Sequence, residues 1–473
     1  MGAVAARLPV QAPARANAPS ATGALAVIAP PAFVKPPLAP VDNAPSYPQV
    51  VFRAWLAAPA APHAGEMRHT LTAGDESPRT PQASQVLEPS LVVRAGSPTA
   101  LLAVVPHLLG FVPEWSIVVI GTAPPRDRIR VTLRYDLPDP PDADMAADIA
   151  AHAAGILSTQ QLAAAVAVGY GSEELVTPVA AAFRDAAGLA GIALHDILRV
   201  EDGRYWSYLC GNEACCPAAG VPFDASAHPA SAAMASAGMQ VQAGRAAVAA
   251  RLAPIGGIAA ESMRQATRRA ERHVTQLLGK VRKSSRLGAA RRMIAAEGLA
   301  AVGAMIARYR GGGRFASDYQ IARITVALRD LRVRDDAWAR MDPAHAEAHL
   351  RLWIDVVRRA QPGHVAASAA LLAFVAWQSG EGALANVALD RALADDPEYS
   401  MALLLRQVIS AGAPPALARL PMTPEEVAAS YADADADAAD DDDDEAFLDD
   451  GDDDDDDHEL DIDDHDLDLD DEC

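Results

Sequence analysis

Apolar residues fall into periodic runs only between about Leu91 and Leu420, and the period of those runs changes once along the way. The first half is strand-like. Leu91–Arg94 is a brief apolar run, and Ser116–Gly121 (SIVVIG) is a continuous one, which predicts a buried strand. Arg128–Tyr135 alternates: Ile129, Val131, Leu133 and Tyr135 point one way, while Arg130, Thr132, Arg134 and Asp136 point the other. Ala163–Gly169 predicts another buried strand. Helices are expected between these runs. Thr99–Leu109 has Ser97 as N-cap, Pro98 at its first position and Gly110 as its stop. Asp144–Leu157 and Ser172–Leu189 complete an alternation that predicts an α/β layer structure.

The sharpest local signal comes next. Ile197–Glu201 and Arg204–Leu209 are strand-like and separated by Asp202-Gly203, a pair that tolerates the positive φ angles of a two-residue type I′ turn. A β-hairpin is expected there, followed by a Cys-, Pro- and Gly-rich loop, Cys210–Phe223. From Ser231 to Arg419 the pattern is helical. Asp342-Pro343 starts a helix carrying Leu350, Trp353 and Val357 on one face, and Pro362-Gly363 ends it. Within residues 366–399, Gly380, Ala385, Leu389, Ala392 and Pro397 have the spacing of one tetratricopeptide-like helical hairpin.

Composition adds the two ends. Residues 1–90 contain 15 of the 35 prolines, too many for lasting helix or ladder, and are expected to be disordered. The net charge of -23 resides at the other end: residues 431–473 hold 26 acidic side chains and no Lys or Arg, and the rest has 37 acids against 40 bases. The expected fold is therefore an α/β domain at 91–230, with a mixed sheet and a terminal β-hairpin, then an all-helical domain at 231–420. Disordered segments are expected at 1–90 and 421–473. The stretch Ala16–Val34 imitates a signal peptide, but Pro19, Pro30 and Pro31 interrupt it, and the cysteines lack the spread of a secreted disulfide framework. A soluble cytoplasmic protein with no membrane partner is the expectation.

Three stretches point to a family. HLLGFVPEWSIVVIG (His107–Gly121), RYDLP (Arg134–Pro138) and DGRYWSYLCGNEACCPAAG (Asp202–Gly220) resemble the bacterial domain of unknown function 4192, typical of GC-rich actinobacteria. AFVAWQSGEGALANVALDRALADDP (Ala373–Pro397) resembles its C-terminal helical part. The resemblance spans Leu91 to Leu420. Trp115 departs from it, standing where a small or acidic residue is expected. The resemblance implies a fold and no activity, cofactor or substrate.

Four constellations could carry chemistry. Arg134 and Asp136 share a strand face, and Asp202 and Arg204 flank the hairpin turn. Together at one sheet edge they would form a clamp for a phosphate or carboxylate, or else a structural ion-pair network. Tyr170, between two glycines after a buried strand, is a further ligand candidate. Cys210, Cys215 and Cys216 offer three thiols, but their spacing departs from the two spaced pairs usual for zinc. Plain buried loop cysteines are the leading expectation, ahead of a metal site completed by His195 or His228 and ahead of a redox thiol; for nucleophilic catalysis by one of them, His107 is the candidate base. His345 and His349 stand four apart on a helix and are expected at its surface. Finally, Arg264–Arg314 contains 13 bases against Glu271 and Glu297. Arg268, Arg269, Arg272, Lys280, Arg282, Lys283 and Arg286 are its polyanion-binding candidates. A solvated helix face beside a solubilising tail is the leading expectation; the alternatives are that the acidic tail occupies that surface, or that nucleic acid does.

No complete catalytic set or nucleotide loop emerges. The leading reading is a non-catalytic protein that binds a small molecule or another protein, with a regulatory role as one form of it. The alternatives are an enzyme acting on a small anion at Arg134/Asp136/Asp202/Arg204, and a nucleic-acid-associated protein using residues 264–314.

Overall fold

The computed structural model describes residues 95–124, 127–279, 284–313, 315–415 and 422–432, without the side chains of 284–287. The expected strand at Leu91–Arg94 and the two expected disordered segments, apart from 422–432, lie outside them. The chain enters through α1 (Pro98–Leu109). Ser97 caps it by accepting the Ala100 amide, Pro98 occupies the first turn, and Gly110 at φ 77° ends it. Next come β1 (Ser116–Ala123), β2 (Arg128–Asp136), α2 (Ala143–Thr159), β3 (Ala164–Tyr170) and α3 (Glu173–Leu189). The sheet is completed by β4 (Ala193–Glu201), β5 (Arg204–Ser207) and the two-residue β6 (Val221–Pro222).

The six strands run in the order β2-β1-β3-β4-β5-β6. β3 and β4 are parallel, joined by the α3 crossover, and the other pairs are antiparallel. The sheet is therefore mixed. Each central strand feeds two cores by its period of two. Ile117, Val119, Ala165, Ala167 and Ile197 pack beneath α2 and α3, whereas Val118, Ile120, Val166, Val168 and Leu198 pack against α1.

Two bulges modify the simple alternation. In β2, Val131 pairs with Gly121 but Ile129 with Thr122, so Arg130 is an extra residue. Ile129 consequently leaves the face of Val131, Leu133 and Tyr135 and joins the α1 side, contrary to the strict pattern read from sequence. In β4 the register skips His195. The expected hairpin forms with Glu201 opposite Arg204, and Asp202 and Gly203 sit at φ 48° and 69°. β6 was not expected. It turns the back of the Cys210–Phe223 loop onto the edge of β5.

The remainder is helical: α4 (Pro229–Ser236), α5 (Arg245–Ala250), α6 (Gly257–Gly279), α7 (Ser284–Arg310), α8 (Asp318–Ala327) and α9 (Leu331–Ala339). A 3-10 turn at Pro343–His345 leads into α10 (Ala346–Arg359), then α11 (Ala366–Gln378), α12 (Gly382–Asp395) and α13 (Ser400–Ser410). Residues 424–432 form a last helix. α11 and α12 are the expected hairpin, turned at Gly380 with φ 79°. α11 is buried all round, from Ala366 to Trp377, and the largest core surrounds it.

The helical region is tied to the sheet at named points. Phe111 forms a bridge with Gln242, and the Gln160 side-chain amide donates to the Gly412 carbonyl. Asp136 at the β2 edge faces Arg245 of α5 at 4.0 Å, and Arg245 continues to Asp390 of α12 at 3.3 Å.

His349 corrects the expectation of an exposed pair. His345 is half-exposed and bonds to Asp342 at 2.8 Å, but His349 is 1% exposed, and neither of its ring nitrogens has a hydrogen-bond partner among the described residues. The reason is that the two do not share a helix: His345 ends the 3-10 turn and sits at the N-cap of α10, whereas His349 lies within α10 on the side that faces the core. Desolvation first, then Arg310, lowers its pKa from 6.5 to about 4. Below pH 6.5 the unfolded ring takes up a proton that the folded ring refuses until about pH 4, so stability falls across that window as pH drops. Urea unfolding at pH 7 and pH 4.5 should show this loss, on the order of 2 kcal/mol from this residue. His349→Leu should remove that part of the pH dependence; an unaltered dependence would contradict the assignment.

Candidate functional site

The structure divides the four-residue clamp. β2 is one edge of the sheet and the β4–β5 turn lies toward the other, with β1 and β3 between. Neighbouring strands are about 4.8 Å apart, so β2 and β5 stand roughly 19 Å from each other. Arg134 and Asp136 do meet, at 2.6 Å, and Arg134 also lies over the Phe111 ring at 5.7 Å. Asp202 and Arg204 stay with the hairpin. The expected convergence fails because strand order is set by non-local pairing that no local pattern encodes. Tyr170 lies within the α1-side core, 9% exposed, and among the described residues its hydroxyl has no hydrogen-bond partner. Burial pushes that phenol well above its usual range.

The hairpin instead builds a platform for the cysteine loop. Asp196 of β4 is fully buried, and its Oδ1 accepts the Ile197 amide at 2.8 Å and the Ser207 hydroxyl at 2.6 Å. Ser207 Oγ in turn accepts the amides of Leu209 and Cys210, at 3.2 and 3.0 Å. The first residue of the loop is thus tied to the sheet interior. The returning limb is tied too. Arg204 Nη1 donates to the Ala219 and Gly220 carbonyls at 3.1 and 3.0 Å, and Trp206 Nε1 to Ala218 at 3.0 Å. Arg199, 6% exposed, lies 3.8 Å over the Trp206 ring and bonds to Glu201 at 2.5 Å.

Between these anchors the three thiols come together. Cys210 Sγ is 3.1 Å from Cys215 Sγ, which is 3.5 Å from Cys216 Sγ, and all three lie within 4.8 Å of one another. The Asn212 carbonyl accepts both the Cys215 and the Cys216 amide, at 3.1 and 2.8 Å, which winds the second half of the loop back over the first. Cys215 is exposed, and Cys210 and Cys216 are half-exposed, so the expectation of plain buried cysteines is not what the loop presents. Hydrogen bonding from Cys215, then from the Asn212 backbone N–H, holds Cys210 below its ordinary pKa. Cys215 is raised by its bond to Cys210, and Cys216 is pushed up to about 12 by burial and by both neighbours.

The histidines suggested as helpers are employed elsewhere. His107 Nδ1 donates to the Met239 carbonyl at 2.9 Å, and its Nε2 faces Ser231 Oγ at 2.9 Å, joining α1 to α4. His228 Nδ1 accepts the Ala230 amide as the cap of α4. The His195 Nε2 is buried without a hydrogen-bond partner and does not join the thiols. Among the basic candidates, Arg268, Arg269 and Arg272 are exposed on α6, with Arg269 over the Tyr319 ring at 4.5 Å. Lys280, Arg282 and Lys283 lie outside the described residues, as does the side chain of Arg286.

Sequence reasoning did not single out Asp196, Ser207 or Arg199. An Asp inside the apolar strand LHDILRV was the available signal, since a carboxylate buried in a sheet must have donors arranged for it.

A mixed sheet with helices on both faces, a thiol-bearing loop at its β5 end and a helical region after it define an α/β-plus-helical protein. The chain belongs to the family described as domain of unknown function (DUF4192), whose model matches residues 98–416. Comparison with curated proteins and with solved structures finds no match. Trp115, the departure noted in sequence, has φ 45° and is 60% exposed. That backbone region disfavours bulky residues and suits Gly, Asn or Asp.

The anchoring predicts a ranking of glycine substitutions. Gly203 and Gly220 both have positive φ, 69° and 75°. A Cβ at Gly203 would meet only the Phe223 carbonyl at 3.8 Å, whereas one at Gly220 would lie 2.5 Å from the Trp206 ring. Gly203→Ala should cost about 1 kcal/mol in urea unfolding. Gly220→Ala should cost at least about 1 kcal/mol more, from the forced overlap. It should also speed reaction of the three thiols with a disulfide reagent; equal rates in the two variants would refute the clamp.

Proposed function

We propose that this protein is a non-catalytic binding protein of the cytoplasm whose ligand is a thiophilic metal ion, with zinc(II) as the reference, held by Cys210, Cys215 and Cys216. The observation that carries the reading is the convergence of three sulfurs within 4.8 Å. Thiolates bound to zinc at about 2.3 Å in tetrahedral geometry stand about 3.8 Å apart. The separations of 3.1 and 3.5 Å in the loop are shorter than that edge by about 0.7 and 0.3 Å, so a bound ion would spread the sulfurs slightly. A loop pre-folded by the Asn212 carbonyl and anchored through Ser207 to Asp196 supplies the outer support that metal ligands need.

Three protein ligands leave one tetrahedral position for water or an exchangeable group. Binding is favoured over catalysis because His107, the base the sequence offered, is engaged in docking α1 on α4. Thiolate ligands require a reducing compartment, hence the cytoplasmic assignment. No described helix is long and apolar enough to cross a membrane. On this reading the α/β domain, 91–230, carries the ligand, and the helical domain, 231–420, packs against it.

Zinc competition against a chromophoric chelator tests the proposal on the full-length reduced protein. One equivalent should bind to the natural chain and to Cys473→Ser. Cys210→Ser/Cys215→Ser/Cys216→Ser should lose at least tenfold in affinity, and cobalt(II) should give a thiolate charge-transfer band only where these three cysteines remain. Equal zinc affinity in the natural and triple-serine chains would sink the reading.

A further inference from the structure

The exposed arginines of α6 and α7 call for a second explanation, independent of the thiols. Arg264, Arg268 and Arg272 recur every four residues on α6, which puts them along one stripe, while Met263, Thr267 and Ala270 bury the opposite side. Arg291 and Arg292 are exposed on α7. Two arginines on other helices have an acid one turn away: Arg351 has Glu347 at 2.5 Å, and Arg340 has the buried Asp336 at 2.6 Å. On α6, Arg264 alone of the stripe has such a partner, Glu261. Among the described residues no carboxylate lies within ion-pair distance of Arg268, Arg272, Arg291 or Arg292.

We infer that this arginine surface is the docking site for the acidic C-terminal segment of the same chain, residues 433–473. The segment has 26 Asp and Glu and no Lys or Arg, so it complements the surface in sign and exceeds it in charge. Its point of departure is nearby. The helix at 424–432 is fastened to α9: Tyr431 donates to Asp335 at 2.7 Å, and Arg332 lies 5.2 Å over the Tyr431 ring. α9 in turn packs closely on α7, where a Cβ at Gly298 would lie 2.9 Å from Val333. Arg291 stands seven residues back along the same α7 face, about 10 Å away at 1.5 Å per residue. A segment of 41 residues, spanning roughly 3.3 Å each when extended, reaches both helices with length to spare.

Tethering decides the occupant. A covalently attached polyanion presents itself at an effective concentration in the millimolar range, whereas a free nucleic acid must compete from solution. Docking of this kind operates only at close range, since the screening length is about 8 Å at physiological salt. The segment therefore keeps the arginines from unrelated polyanions and yields only to one that binds more tightly.

The distribution of lysine supplies a specific test. Lys occurs only at Lys35, Lys280 and Lys283, and the last two stand in sequence between α6 and α7. Zero-length carbodiimide coupling of the full-length protein should join Lys280 or Lys283 to carboxylates of residues 433–473, within the monomer. The yield should fall several-fold at about 0.5 M salt, where screening shortens to a few ångströms. It should fall similarly in Arg268→Ser/Arg272→Ser/Arg291→Ser/Arg292→Ser. A chain ending at Ala432 should elute later from heparin than the full chain. Absence of these couplings at low salt, couplings only between isotopically distinct copies, or identical heparin elution would each overturn the inference.

Discussion

A carboxylate sealed inside a sheet has to be met by donors, and the way Asp196 is met organises one whole end of this protein. The Asp196 oxygen gathers an amide and the Ser207 hydroxyl, and that hydroxyl collects two more amides from the strand end and the loop. Leaving such a group unsatisfied costs several kcal/mol, far more than any one surface contact returns. The route of the chain after β5 is consequently not free. It must bring the backbone of Leu209 and Cys210 to Ser207, which fixes where the first thiol starts. Arg204 and Trp206 impose the same kind of condition on the returning limb, through carbonyls at Ala218, Ala219 and Gly220. The three-sulfur cluster is the geometric consequence of closing a loop between two such anchors.

The opposite edge of the sheet works by a weaker force. Arg134, Asp136, Arg245, Asp390 and Arg406 form a chain of charges from β2 to α13. Asp136 is 71% exposed and Arg245 46%, so water screens most of the attraction, and each link contributes at most about 1 kcal/mol. Its value is directional: alternating signs favour one seating of helices against the edge over others. The Gln160 to Gly412 bond and the Phe111 bridge to Gln242 add the backbone contacts that actually hold that seating.

What could be read in the sequence was whatever depends on neighbours in the chain. The Asp202-Gly203 turn, the Ser97-Pro98 start of α1 and the Gly380 turn of the helical hairpin are each decided by a few adjacent residues, and each stands as expected. What could not be read depends on partners far away. The order of strands separates Arg134 from Arg204, although both lie in family-like motifs. The bulge at Arg130 moves Ile129 to the other face without leaving a mark in an alternating pattern. Cys210, Cys215 and Cys216 have an unpromising spacing, yet the Asn212 carbonyl folds the loop so that spacing ceases to matter. Burial of His349 beside an exposed His345 required knowing which side of α10 meets the core.

Thiols and arginines pose opposite electrostatic problems, and the protein handles each by geometry. In the loop, proximity itself makes full ionisation costly: once Cys210 carries charge, Cys215 and Cys216 are both held in the thiol form by their neighbours. Two further negative charges would enter that space readily only with a cation between them. On α6 and α7 the crowding is of positive charge, but there the side chains are long and exposed, so water relieves most of the repulsion. A compact cluster of short side chains calls for a small cation at a defined point. A dispersed row of long ones calls for an extended anion that can adjust along it. The same Coulomb law thus asks for an ion in one place and a chain segment in the other, and the difference lies in side-chain length and burial.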